Sequence, residues 1–173
     1  MRVSSILDEL LKEYDGKLRV VFKNMVVHPD RVTLAHRAGC AAGKQGKFVA
    51  FKNAFWEKGF KQQKFDEDTI NGIAKDLGLD VDKLKADIKG TECQAQIDAD
   101  MQELAKFRVG ATPSFFINGK FLGGAVPKEQ FKQIIDERLK VAEASGAGGD
   151  YYEKEVMGKG EKQFRSKMDP KPN

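Results

Sequence analysis

Val3, Ile6, Leu7, Leu10 and Leu11 fall three and four residues apart, which predicts an amphipathic helix over residues 3 to 14, ended by a left-handed cap at Gly16. Leu18 to Phe22 follows at once. It is short, β-branched and aromatic, and predicts a largely buried strand of a parallel sheet. From Asp30 to Phe107 no further strand pattern occurs. Helical spacing predicts helices near 31–42, 46–58, 67–77, 81–88 and 91–107, separated by glycines at 46, 59, 78 and 90. Asp80 and Thr91 are placed as N-caps, with Gln94 completing a capping box on Thr91.

Two apolar runs then flank Asn118-Gly119 between Pro113 and Leu122. Asn-Gly favours the positive φ angles of a type I′ turn, so this stretch predicts a β-hairpin. Pro127 fits the first turn of a further helix, continued by Phe131, Ile134, Ile135 and Leu139 to about Ala144. Ser145 to Gly149 reads as a flexible break, and Asp150, with Glu153, caps a short helix from Tyr151 to Gly158. Pro170 and Pro172 mark a frayed end.

A length of 173 residues suits one domain and predicts a single hydrophobic core. The net charge of +4 is modest and both signs are interspersed, which argues against nucleic acid as a partner. Only Lys159 to Lys171 is locally basic, as a solvated tail would be. No apolar run approaches the roughly 20 residues of a membrane span, so no membrane partner is expected. Met1 to Leu11 mixes charged and apolar residues, so no export signal is read in this chain.

Cys40 and Cys93 are too few for a disulfide scaffold and too distant in sequence for a Cys-x-x-Cys pair, although one long-range bridge between them remains open. His36 and Cys40 share a helical face, with His28 and Cys93 as conceivable further ligands. Nothing in the sequence converges the four, so no metal and no other cofactor is expected. Phe48, Phe51, Phe55 and Trp56 form an aromatic stripe that reads as core or as a lid over a groove.

The order helix, strand, helical block, Thr-Pro, hairpin, helix is similar to the DsbA-like branch of the thioredoxin superfamily. Val20 to Asn24 followed by His28-Pro29 resembles its second-strand segment and the loop after it. Ala41 to Phe48 resembles an insert stretch reading A-A-x-x-Q-G-K-F, and Phe107 to Gly119 resembles the run G-V-x-G-T-P-T-F-F-V-N-G. The resemblance covers residues 3 to about 144 and implies an α/β thioredoxin-like domain at 1–144, with a helical insert at about 30–107, followed by a flexible linker and short basic helical tail at 145–173. It implies a cis proline at Pro113, and Thr112 and Pro113 as the place where an extended protein or peptide substrate pairs with the backbone. It further implies a structural disulfide in the helical block, for which Cys40 and Cys93 are the candidates, though their registers are shifted by a few residues from the familiar positions.

The departure from the family is chemical. Its Cys-x-x-Cys sits at the start of the first helix, where the helix dipole lowers the thiol pKa, and it follows a strand. Here that helix begins at or just after Met1, so the first strand and the active-site turn are missing. The missing strand would lie between the Leu18–Phe22 strand and the Phe115–Asn118 strand. A truncated or internally started chain accounts for this most directly; strand exchange between copies, giving a homo-oligomer, and direct pairing of the two flanking strands are the alternatives. With that strand gone the aromatic stripe would be exposed.

The expected function is that of a protein disulfide oxidoreductase or isomerase acting on protein thiols, inactive in this chain for want of the cysteine pair, and periplasmic or extracytoplasmic by family resemblance. A non-enzymatic peptide-binding or self-associating module is the first alternative. A relative of the kappa-class glutathione transferases, with Ser4 or Ser5 near the helix start, is the second.

Overall fold

The protein is described by a computed structural model covering residues 2–166. In chain order the elements are α1 (Arg2–Glu13), α2 (Pro29–Lys44), α3 (Phe48–Phe55), a π-helical turn (Trp56–Phe60), α4 (Glu67–Asp76), α5 (Val81–Lys89), α6 (Thr91–Lys106), β1 (Ser114–Ile117), β2 (Lys120–Gly123) and α7 (Lys128–Ala144). A 3-10 turn (Gly148–Asp150) and a π-helical segment (Tyr152–Met157) follow. The chain divides into two compact units, one running from the start to Val21 and again from Leu104 onward, the other from Phe22 to Glu103.

The first unit contains α1, the β1–β2 hairpin and α7. Leu10 and Tyr14 from α1 and its end meet Phe131 and Ile135 of α7, and Leu18, Phe115, Ile117 and Leu122 pack on them. Alternation along β1 decides this: Phe115 and Ile117 face the core, and Phe115 meets Phe131 edge-on at 4.9 Å. At the rim, Tyr14 Oη donates to Asp136, Lys128 pairs with Glu9 and Glu13, and Lys132 pairs with Glu13. Asn118 and Gly119, at φ 43° and 84°, form the two-residue turn that the Asn-Gly pair predicts, with Ile117 opposite Lys120.

The second unit is helical. Ala38, Ala41 and Ala42 of α2 are fully buried against a cluster that includes Phe51, Ile70, Ile73, Leu84, Ile88 and Cys93. Small residues on α2 let its neighbours approach closely, while Phe51 and the isoleucines supply the volume. Asp80 caps α5 by accepting from the Lys83 N–H, as expected; Asp66, unforeseen, caps α4 through the Thr69 N–H.

Several expectations are corrected. Leu18 to Phe22 takes no regular secondary structure, because a ladder needs a partner and no strand pairs with this stretch among the described residues. Direct closure of the gap between this stretch and β1 is therefore not seen. The buried residues form two clusters rather than the single core expected from length, since the helical block closes its own interior. Gln94 does not complete a capping box; its side chain accepts from Arg37 Nε and donates to Asp98. Of the aromatic stripe, Phe51 is buried in the helical core and stacked on Phe55, while Phe48, Phe55 and Trp56 are half-buried. Pro127 occupies the N-cap rather than the first helical position, and Asp150 lies in the 3-10 turn with its carboxylate paired to Lys154. The prolines of the expected frayed end, Pro170 and Pro172, lie outside the described residues, as does the last part of the basic tail.

Candidate functional site

Thr112 and Pro113 owe their position to the way α6 stops. Arg108 takes the left-handed conformation at φ 54°, its N–H donates to the Ala105 carbonyl at 3.0 Å, and the Val109 N–H donates to Leu104 at 3.1 Å. This paired capping pattern turns the chain out of the helix and into the loop before β1. The Thr112–Pro113 peptide bond is cis. The Pro113 carbonyl accepts from the Gly124 N–H at 2.8 Å, and Ser114 Oγ donates back to the Ala111 carbonyl at 2.7 Å, so the loop is tied at both ends of the residue pair.

The register then decides which backbone groups of β1 are open. Ile117 opposes Lys120 across the turn, and Phe115 opposes Leu122. In an antiparallel ladder hydrogen-bonded pairs alternate with non-bonded ones, so Pro113, Phe115 and Ile117 face β2 while Ser114 and Phe116 turn their N–H and C=O groups to the other edge. No strand lies on that edge among the described residues. Thr112 is exposed and Pro113 half-buried beside it. On the face away from α7, Phe116 remains 43% exposed and touches Phe107 at 5.5 Å and Phe121 at 5.3 Å between ring centres. None of the four β1 side chains carries a charge. The arrangement offers two backbone donors, two acceptors and an apolar flank, which is what an extended polypeptide segment needs.

The sulfurs are elsewhere. Cys40 on α2 and Cys93 on α6 are joined in a disulfide, with Cα atoms 5.7 Å apart, and both belong to the helical unit. No cysteine thiol is left. Of the other residues considered for metal, His36 places Nδ1 3.0 Å from Asn24 Oδ1, and no group of metal-ligating side chains converges among the described residues. Ser4 and Ser5 lie within α1 rather than at its cap.

One polar cluster was not anticipated. Asp100 is only 2% exposed, yet its carboxylate accepts from the Asn24 N–H and side-chain amide, from Gln96 Nε2, and pairs with Lys23 at 3.2 Å. Burial alone pushes its carboxyl upward; the Asn24 donors and Lys23 outweigh that and hold it below the ordinary 3.8. The signal was present in the spacing: Cys93, Ile97 and Asp100 recur at intervals of four and three on the buried face of α6, so an acid interrupts an apolar stripe.

Residues 4–136 match the DSBA-like thioredoxin domain family. The fold is similar to that of a thioredoxin-like oxidoreductase from Silicibacter pomeroyi DSS-3, with a TM-score of 0.69 and 28% identity, covering 80% of this chain and 79% of that one. The sequence is also 29% identical over 129 residues to a Na(+)/H(+) antiporter NhaA of Herminiimonas arsenicoxydans. That match takes in 75% of this chain but 20% of the antiporter, so the chain spans about a fifth of the length of this curated relative. No helix among the described residues is long and apolar enough to cross a membrane. The fold is thioredoxin-like with a helical insertion, and the chain belongs to the DSBA-like thioredoxin domain family.

Proposed function

We propose that this protein is a polypeptide-binding member of the family's thiol–disulfide oxidoreductase line, that it takes up an extended segment along the open edge of β1 beside Thr112 and Pro113, and that this chain by itself exchanges no disulfides. Exchange begins when a thiolate attacks a disulfide sulfur, forming a mixed disulfide and releasing the other sulfur as a thiolate. The observation that carries the reading is that Cys40 and Cys93, the two cysteines of the chain, are bonded to each other, so no nucleophile remains for that first step. What remains is the binding half of the chemistry, carried by the outward N–H and C=O groups of Ser114 and Phe116.

The test has two readouts. Insulin reduction by dithiothreitol should proceed no faster with the protein than without it, and acceleration that disappears in a Cys40→Ser/Cys93→Ser variant would refute the inactive reading. In amide-resolved NMR, titration with a short, uncharged, β-branched peptide should shift the Ser114 and Phe116 resonances; shifts confined to the helical unit would refute the binding reading.

The same open edge supports a second occupant, a strand from another copy. An oligomer at high concentration in sedimentation, dissociated by the peptide, would favour it.

A further inference from the structure

The stretch after α7 lies beyond the family match, which ends at residue 136, and it does not trail away from the first unit. It touches three places around β1. Tyr152 lies under the guanidinium of Arg19, a residue of the irregular stretch after α1, with 5.8 Å to its ring centre. Val156 reaches the hairpin turn, with Cγ1 3.8 Å from where a Cβ on Gly119 would stand. Phe164 donates its N–H to the Lys106 carbonyl at 2.8 Å, meeting an otherwise open C-terminal carbonyl of α6, and its ring lies under the Arg108 guanidinium at 4.7 Å. The contacts therefore bracket β1 from the stretch after α1, from the turn, and from the helix end that leads to Thr112.

The attachment is light. Neither the 3-10 turn nor the π-helical segment has a buried residue, and Tyr152, Met157 and Phe164 are each at least 40% exposed. Gly146 and Gly148, both at positive φ, provide a joint between α7 and this stretch. Segments with few buried apolar contacts open locally at little free-energy cost. Phe116 and Phe121, meanwhile, stay 43% and 53% exposed, an apolar surface beside the anchors that the stretch leaves uncovered.

We propose that residues 148–166 are a strap that closes over the polypeptide-binding edge of β1 and must release its Tyr152 and Phe164 anchors before an extended segment can seat there. This rests on the binding reading above and adds its regulation. In the closed state the strap holds the Arg19 stretch and the α6 end by ring and backbone contacts. In the open state the Ser114 and Phe116 edge is freed, and Phe107, half-buried in the closed state, joins the already exposed Phe116 and Phe121 in one aromatic face for the apolar side chains of the incoming segment.

Hydrogen exchange on the full chain and a Tyr152→Ala/Phe164→Ala variant tests this, together with fluorescence anisotropy of a labelled, uncharged, β-branched peptide and uptake of an apolar fluorescent dye. In the unaltered protein the strap amides should exchange about tenfold or more faster than those of α7, as local opening requires. The variant should lose strap protection while α7 and the hairpin keep theirs, bind the peptide several-fold more tightly, and take up more dye. Strap amides as protected as those of α7 in the unaltered protein would overturn the proposal without reference to any variant, and so would unchanged or weaker peptide binding in a variant whose α7 protection is intact. If neither protein binds peptide, the binding reading fails, and dye uptake still decides the strap: an increase supports it and no change overturns it.

Discussion

Asn24 donates both its backbone N–H and its side-chain amide to one carboxylate oxygen of Asp100, at 2.9 and 2.8 Å, pinning the irregular stretch after Phe22 to α6 across 76 residues of sequence. Asp100→Ala leaves three donors, the Asn24 N–H, the Asn24 side-chain amide and Gln96 Nε2, without their acceptor, and leaves the Lys23 ammonium with Glu103 alone. Removing a buried charged acceptor costs about 2–3 kcal/mol, well above a surface change. Urea unfolding should show this loss, and Asn24→Ala combined with Asp100→Ala should cost much less than the sum of the two, because they share one interaction. The carboxyl is held below its ordinary 3.8, so its contribution is present above that value and lost as pH falls through the lower folded one. The acid limb of the stability profile should flatten in Asp100→Asn.

His36 titrates in a different window. Asn24 spends its amide nitrogen on Asp100, so its Oδ1 accepts and His36 Nδ1 carries the hydrogen. Burial pushes the imidazole below its ordinary 6.5. The unfolded chain then binds the proton first, and stability is complete above 6.5 and declines as pH falls below it toward the folded value. Melting temperature measured against pH should show this decline, and His36→Gln, which keeps a donor toward Asn24, should remove it.

The Cys40–Cys93 bridge closes a loop of 53 residues, for which the chain-entropy relation gives about 4 kcal/mol of stabilisation. Cys93 is fully buried, so reduction should be slow in native buffer and should accelerate in mild denaturant. The reduced protein should unfold at markedly lower urea, with protection lost first in α2 and α6. Equal stability of the oxidised and reduced forms would contradict this.

Two glycines should respond to alanine with opposite signs. Gly119 sits at φ 84° in the hairpin turn, where an L-residue costs about 1–2 kcal/mol, so Gly119→Ala should destabilise and broaden the hairpin amide resonances. Gly72 lies within α4, exposed, with nothing within 4 Å of an added Cβ. Gly72→Ala should stabilise by about 0.5–1 kcal/mol, because alanine has less backbone freedom to lose on entering a helix. Thermal unfolding of the two variants side by side checks both signs.

The local elements were legible where a short-range rule dictates them. The three-and-four spacing of Val3 to Leu11 sets α1, Asn118-Gly119 sets the turn and hence the inward face of Phe115 and Ile117, and Asp80 caps its helix whatever surrounds it. Thr112-Pro113 stood out because its neighbours on both sides resemble a family run, and their place beside β1 follows from a turn only a few residues away.

What the tertiary structure decided are relationships between residues far apart in the chain. Leu18 to Phe22 has the composition of a strand, yet a strand is a property of a pair, and its backbone meets no partner strand among the described residues. Cys40 and Cys93 stand as a candidate pair in the sequence, but the bond exists only once α2 and α6 bring their Cα atoms to 5.7 Å. Asp100 interrupts the apolar stripe of α6, but its partners Asn24 and Lys23 arrive only from the other end of the unit, and Phe164 reads as tail until its ring lies under the Arg108 guanidinium. Periodicity and turn chemistry act over a few residues and are written in sequence; pairing, burial and charge compensation act through space and exist only once the chain has folded.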